Sequence, residues 1–548
     1  MAATREGDTA AVVCLRGIPV SPGLARGRLV VLADERRLPS RVRGSAGEES
    51  SRMRAAIAAA SAELAALMER AGDGEAQAIL AFQVAMLADP VVSERAFAAI
   101  EAGDAAEHAW RTAMDLQISG YHEADDLYFR ARASDLRDMR DRVLRKLGGA
   151  TAPAIPPGSI VVAADLPPSR FLEIAWEGGG LALTQGSPNS HVAMLARSRG
   201  VPMLIGIEQA DLRGHTEALI DTDNAVLVVS PDGELAVDFA SRQQRAEIAR
   251  AEAQRYVNAP AMTASGERVQ LLINVADGSE LEGLDPAGCD GIGLVRSELA
   301  LRDAADLADE AKQYAAYRRI LQWANGLPVT MRTFDAGGDK PIAGYTVDGE
   351  ANPFLGTRGV RLSLLHPEVL STQLRALARA AALGPLKIMV PMVTSPREID
   401  RVRVLLEGAV AGLRREGLEH AVPELGMMVE VPAAALAIDL FDADFLSIGS
   451  NDLIQYLTAA SRDSSALALL QEPLQPAVLR LIHQVVEHAH AHSIPVSLCG
   501  DMASDVRCIP ALLDMGLRSL SVAPAALARV KSAIARYRAA RPNGEQIA

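Results

Sequence analysis

The chain has 548 residues, 49% hydrophobic and 23% charged, an ordinary balance for folded domains, and its length suggests two to four of them. A net charge of −14 and a pI near 5.3 argue against nucleic acid as the main partner, because phosphate backbones need a basic face; an acidic surface suits a basic protein instead. Cys14, Cys289, Cys499 and Cys508 show neither disulfide nor zinc spacing and fit a reducing cytoplasm, and no uncharged apolar run is long enough for a membrane span or a secretion signal.

Taken in order, two β-like runs at 11–15 and 28–32 flank a spacer rich in Pro and Gly, which reads as a loop. Residues 45–147 change character, with Pro90 as the single proline between Pro39 and Pro153. Met53, Ile57, Leu64, Leu67 and Met68 share one helical face. Breaks at 72–74, 89–90 and 103–104, and a stop at Gly148-Gly149, predict a bundle of about four helices. Its last helix carries Asp125, Asp126, Arg130, Arg132, Asp135, Arg137 and Asp138. By default such a run is a solvated face, and the alternative is a docking face.

Strand-like runs return at 159–163, 181–184, 203–207, 219–221 and 225–229, with helical pieces between them. This is the pattern of an α/β domain, and the bundle reads as an insertion into it. Within it, Asn189 and Ser190 form an N-cap signal, and Gly200 with Pro202 ends the helix. His191 therefore opens a helix, where unpaired N–H groups and the dipole favour an anion. Neutral imidazole is nucleophilic near pH 7, so His191 is a candidate phosphoryl acceptor. The plainer reading is a capped helix with a surface histidine, and the segment alone favours it. Residues 236–258 are polar and helix-forming and suit a linker.

From 262 onward, eight apolar runs recur at 270–276, 291–295, 328–333, 387–393, 425–431, 445–449, 495–499 and 519–522. Helix-like stretches separate them, which predicts a (β/α)8 barrel with its site at the C-terminal strand ends. Charged residues follow these runs: Arg296 and Glu298, Arg332 and Asp335, Glu430, Asp452 and Asp501, with Lys340 and Arg462 close by. Burying so many charges for packing alone is costly. Arg296, Arg332 and Arg462 make a site for a multiply charged anion, phosphate plus carboxylate. Glu430 and Asp452 are hard oxygen donors that suit Mg²⁺. Arg358 and Arg361, in the long loop before the fourth strand, are placed to close over the anion or to pair with acids on a surface helix. Cys499 adjoins the proposed site and is a candidate for proton transfer, against the plain reading of an inert packed thiol.

The motifs Gly291-Ile-Gly-Leu-Val-Arg-Ser-Glu298, Arg332-Thr-Phe-Asp-Ala-Gly-Gly-Asp-Lys340, Asn352-Pro-Phe-Leu-Gly-Thr-Arg358, Phe445-Leu-Ser-Ile-Gly-Ser-Asn-Asp452 and Leu498-Cys-Gly-Asp-Met502 resemble those of the phosphoenolpyruvate-utilising enzymes. From about residue 17 to 534 the chain is similar to the enzyme I family of the bacterial sugar phosphotransferase system. The resemblance implies phosphoryl transfer from phosphoenolpyruvate to His191 and onward to a histidine of the phosphocarrier HPr, with release of pyruvate. It implies substrate contacts at Arg296, Arg332, Asn451 and Arg462, Mg²⁺ on Glu430 and Asp452, Cys499 as proton donor, a homodimer, a cytoplasmic location and no membrane insertion.

The expected organisation is a phosphohistidine swivelling α/β domain at 1–34 and 148–235, with a helical HPr-docking insertion at 35–147. A linker helix at 236–260 and a (β/α)8 barrel at 261–548, which binds substrate and dimerises, complete it. Ser187, Asn189 and Asp501 depart from the family pattern. A dikinase or synthase reading needs an ATP-binding domain before the histidine, and no Gly-rich phosphate loop stands there. A regulatory, carrier-binding paralogue is disfavoured by the retained His191, arginines, carboxylates and Cys499.

Overall fold

A computed structural model describes residues 12–32, 43–71, 75–122, 127–149, 154–186, 190–276, 278, 280–299, 304–338, 340–347, 349–462 and 465–538. The expectations placed on Ser187, Asn189, Asp125, Asp126 and the break at 72–74 lie outside the described residues. The chain divides into two compact units, 1–245 and 246–548.

The first unit opens with β1 (Val13–Arg16), β2 (Ile18–Ser21) and β3 (Leu24–Val31). Helices α1 (Ala46–Ala71), α2 (Glu75–Ala88), α3 (Pro90–Ala102), α4 (Ala106–His122) and α5 (Leu127–Gly148) follow. The chain then returns to β4 (Ile160–Ala163), α6 (Pro168–Glu173), β5 (Gly180–Leu183), α7 (His191–Arg199), β6 (Met203–Ile205), β7 (Glu217–Asp221) and β8 (Val226–Val229). Among the described residues these strands form one sheet in the order β1-β8-β7-β3-β4-β5-β6-β2. Its centre, β3 to β6, is parallel, and β4 and β5 are buried throughout, as strands covered on both faces must be. Alternation sorts β4 between two cores. Val161 and Ala163 pack with Phe171, Val192 and Leu195 on the side of α6 and α7, while Ile160 and Val162 face Ala25, Ala218 and Ile220.

Two expectations change here. The spacer after Gly17 is not all loop, because β2 pairs antiparallel with β6 at the sheet edge. Pro19 is tolerated there, since an edge strand has a side on which no donor is needed. The bundle expected to hold about four helices shows five helical stretches, α1 to α5, among the described residues. Its core holds Leu64, Trp110, Met114, Leu136, Met139 and Val143.

Helix α8 (Gly233–Gln254) spans the division between the units. The second unit contains β9 (Gln270–Val275), β10 (Ile292–Arg296), β11 (Val329–Arg332), β12 (Leu386–Val390), β13 (Glu424–Val429), β14 (Leu446–Ile448), β15 (Val496–Leu498) and β16 (Ser519–Val522). Every neighbouring pair is parallel, and β16 pairs back to β9, closing the barrel. Aliphatic side chains such as Ile273, Ile388, Met427 and Ile448 fill the layer between strands and outer helices. Closure and parallel order bring all C-terminal strand ends to one mouth.

Candidate active site

Arg296 and Arg332 end β10 and β11 and stand side by side in register. Glu430 follows β13 directly, Asn451 and Asp452 lie in the first turn of the helix Ser450–Thr458, and Cys499 follows β15. Arg462 Nη1 is 3.8 Å from Asp452 Oδ2. These residues belong to one mouth of one barrel, whereas His191 belongs to the other unit.

A buried charge network underlies the mouth. Arg332 binds Glu298 and lies 3.2 Å from Asp335. Lys340 bridges the same two carboxylates, at 2.9 Å to Glu298 Oε1 and 3.2 Å to Asp335 Oδ2. Arg358, fully buried, reaches Asp335 at 2.9 Å, Asp452 at 3.3 Å and the Tyr456 hydroxyl at 3.2 Å. It does not sit on a surface helix. Arg361 instead donates to the Gly356 carbonyl and the Thr394 hydroxyl. Burial opposes ionisation of Asp335, yet Lys340, Arg332 and Arg358 hold its carboxyl well below the ordinary range. Glu298 is lowered against burial by Arg332 and Lys340.

Glu430 is treated differently. Burial first, and then the charges of Asp452 and Asp335, push its carboxyl up to about 8, even with Arg332 and Arg358 nearby. One oxygen accepts from the Met392 backbone N–H at 2.7 Å. Met392 is held at φ 58°, a left-handed conformation that strains an L side chain and turns that N–H toward the carboxylate. Cys499 is also buried. Burial and the charge of Glu430 push its thiol up to about 11, although the Ser447 hydroxyl and the charges of Arg332 and Arg296 pull it down. Its proton therefore stays on sulfur at neutral pH.

Asn451 ties two strand ends together, with Oδ1 accepting from the Asp501 N–H at 2.8 Å and Nδ2 donating to the Asp501 carboxylate at 2.9 Å. A Cβ on Gly500 would overlap Ser450 Oγ and lie 2.7 Å from Ser450 N, so this crossing requires glycine. A metal fits here as a partly protein-held ion. Among the described residues no cluster of three or more His, Cys, Asp or Glu side chains forms a cage. The paired, mutually repelling carboxylates of Glu430 and Asp452 match an ion that keeps waters and substrate oxygens as its remaining ligands.

His191 is the first residue of α7. Ser190 Oγ accepts from Ala193 N at 3.3 Å, and Gly200 ends the helix in the left-handed region. The imidazole Nδ1 lies 3.7 Å from Asp135 Oδ1 of α5. The expected solvated face of α5 is thus partly wrong: Asp135 and Asp138 are buried, because that face packs inward. Sequence reading noted Glu298, Asp335 and Lys340 as strand-end charges but did not see them as a network supporting Arg332. The available signal was their spacing, two residues after Arg296 and three and eight after Arg332.

A closed parallel barrel whose mouth gathers guanidinium groups, carboxylates and a protonated thiol defines a class that handles anions. The sequence matches the family descriptions PEP-utilising enzyme, N-terminal (residues 16–132), PEP-utilising enzyme, mobile domain (155–225), and PEP-utilising enzyme, PEP-binding domain (250–539). Proteins named phosphoenolpyruvate-protein phosphotransferase are similar along nearly the whole length. That of Cupriavidus necator is 37% identical, covering 95% of this chain and 94% of its own. That of Geobacillus stearothermophilus is 36% identical (93% and 90%), and that of Enterococcus faecalis 34% (95% and 94%). The chain belongs to the phosphoenolpyruvate-protein phosphotransferases of the PEP-utilising enzyme family.

Proposed function

We propose that this protein takes the phosphoryl group of phosphoenolpyruvate onto His191 and passes it to a histidine of the small phosphocarrier HPr, as the first step of a sugar phosphotransferase system. The observation that carries this reading is the gathering of Arg296, Arg332 and Arg462 around Glu430, Asp452 and Cys499 at one barrel mouth. The similarity to named phosphotransferases over 95% of the chain supports it. On this reading the α/β part carries the histidine, the helical insertion docks the carrier, α8 is the linker, and the barrel holds the substrate and pairs into a homodimer. Among the described residues no helix is long and apolar enough to cross a membrane. The free cysteines and the carrier partner suit a cytoplasmic enzyme.

The arginines bind the phosphate and carboxylate of the substrate and offset charge as the phosphoryl group leaves. Asn451 orients the bound substrate. An imidazole nitrogen forms the N–P bond while the P–O bond of the enol ester breaks and its electron pair moves to the enolate oxygen. The Cys499 thiol then gives its proton to the enolate carbon, yielding pyruvate, and the thiolate regains a proton from solvent. Glu430 and Asp452 would hold Mg²⁺, which supplies electrostatic stabilisation of phosphoryl oxygens when bound. With Mg²⁺ and labelled phosphoenolpyruvate the protein gains an acid-labile phosphoryl group that a purified carrier removes. His191→Ala abolishes the label and chelation of Mg²⁺ suppresses it; a His191→Ala protein that still labels has another acceptor.

A further inference from the structure

We propose that Asp135 of the helical insertion is a positioning residue for His191, holding the Nδ1 edge of the imidazole so that the ring proton stays on Nδ1 and Nε2 is the nucleophile. The role of His191 rests on the function proposed above; the contact itself does not.

The contact comes from the inward face of α5. Asp135, Asp138 and Arg142 are spaced three and four residues apart, which places them on one helical face, and all three are buried. Two of them anchor the helix. Arg142 donates to Glu63 at 2.7 Å, and to Ser169 and Glu173 of α6 at 2.6 Å each. Asp138 accepts from Gln83 at 3.1 Å. These bonds fix α5 against α1, α2 and α6. They set the height at which Asp135, one turn earlier, meets the first residue of α7. Its side chain has no exposed surface, whereas the His191 side chain keeps 19%, so the ring lies beside a buried acid and stays partly open to solvent.

A carboxylate beside one ring nitrogen of a neutral histidine selects the tautomer with the proton on that side and orients the plane. The Ser190 cap fixes the backbone at His191, and the Asp135 carboxylate acts on the ring through charge across 3.7 Å rather than through a hydrogen bond. When the Nε2 lone pair forms the N–P bond, the proton already on Nδ1 remains there. The ring becomes a phosphoimidazolium whose positive charge faces Asp135, and no proton must leave during the transfer. The helical insertion thus supplies part of the acceptor site as well as any docking surface.

The test uses the full chain and three substitutions. In the unmodified protein, ¹⁵N shifts of the His191 ring report the Nδ1–H tautomer. In Asp135→Ala the proton redistributes to Nε2, and single-turnover phosphorylation by phosphoenolpyruvate slows about ten- to a hundredfold, the usual effect of losing a histidine's orienting partner. The KM for phosphoenolpyruvate stays unchanged, because that site lies in the barrel. Asp135→Asn, which is isosteric and preserves packing, also slows transfer, and Asp135→Glu restores part of the rate and the tautomer. Wild-type rates in both Asn and Ala variants, or an Nδ1–H ring persisting in the Ala variant, overturn the proposal. A wild-type protein that takes no label on His191 defeats the functional reading instead, and the ring tautomer still tests the contact.

Discussion

The barrel mouth and the first turn of α7 manage charge in contrasting ways. At the mouth Arg332, Lys340 and Arg358 interlock with Glu298, Asp335 and Asp452, and most of these side chains are sealed from water. At α7, among the described residues, a cap bond fixes the turn and a carboxylate lies 3.7 Å from a ring that is partly open. The first arrangement is rigid because removing any member strands an opposite charge in a low-dielectric interior. The second leaves the imidazole reachable, which on the proposed function suits a group that meets two different partners. On the proposed function, a pre-built anion pocket and a lightly held acceptor are different solutions to one requirement, handling phosphate without trapping it.

The contrast can be broken most forcefully at the pocket. Arg332→Met leaves Glu298 and Asp335 buried with one cation fewer. It destabilises the chain by about 3 kcal/mol, the low end for a broken buried pair, because Lys340 still serves both carboxylates. Urea unfolding measures this, and an unchanged midpoint would show the network to be slack.

The next effect concerns the thiol. With Cys14, Cys289 and Cys508 replaced by Ala, alkylation of Cys499 climbs about tenfold per pH unit from pH 8 until it levels near 11. The sign follows from the raised value: below it sulfur keeps its proton, available for donation, and above it the thiolate dominates. A plateau near pH 8.5 would remove the argument for a protonated thiol at the mouth. The smallest effect is at α7, where Ser190→Ala loses one cap bond and costs about 1 kcal/mol, seen as a small drop in thermal midpoint. A loss as large as that of Arg332→Met would mean that the first turn of α7 is as rigid as the pocket.

Much of this molecule was legible in the chain because its signals are local. Apolar runs of strand length announced the barrel strands, since a strand covered on both faces must be apolar whatever surrounds it. Gly200 and Ser190 marked the ends of α7 because caps act within one turn. The strand-end positions of Arg296, Arg332, Glu430 and Cys499 followed from the runs they terminate. β2 was missed because Pro19 reads as a loop until an edge position makes it harmless.

By itself the sequence determined which segments become strands and helices, where they stop, and which polar residues stand at their ends, because periodicity, capping and backbone restriction are properties of neighbours in the chain. Only the tertiary structure decided that Arg358 pairs with Asp335 and Asp452, that Met392 turns its N–H to Glu430, and that Asp135 faces His191. Those partners are 23, 94, 38 and 56 residues apart. No local rule links them, and the strength of a charge contact depends on how far water is excluded, which packing alone sets.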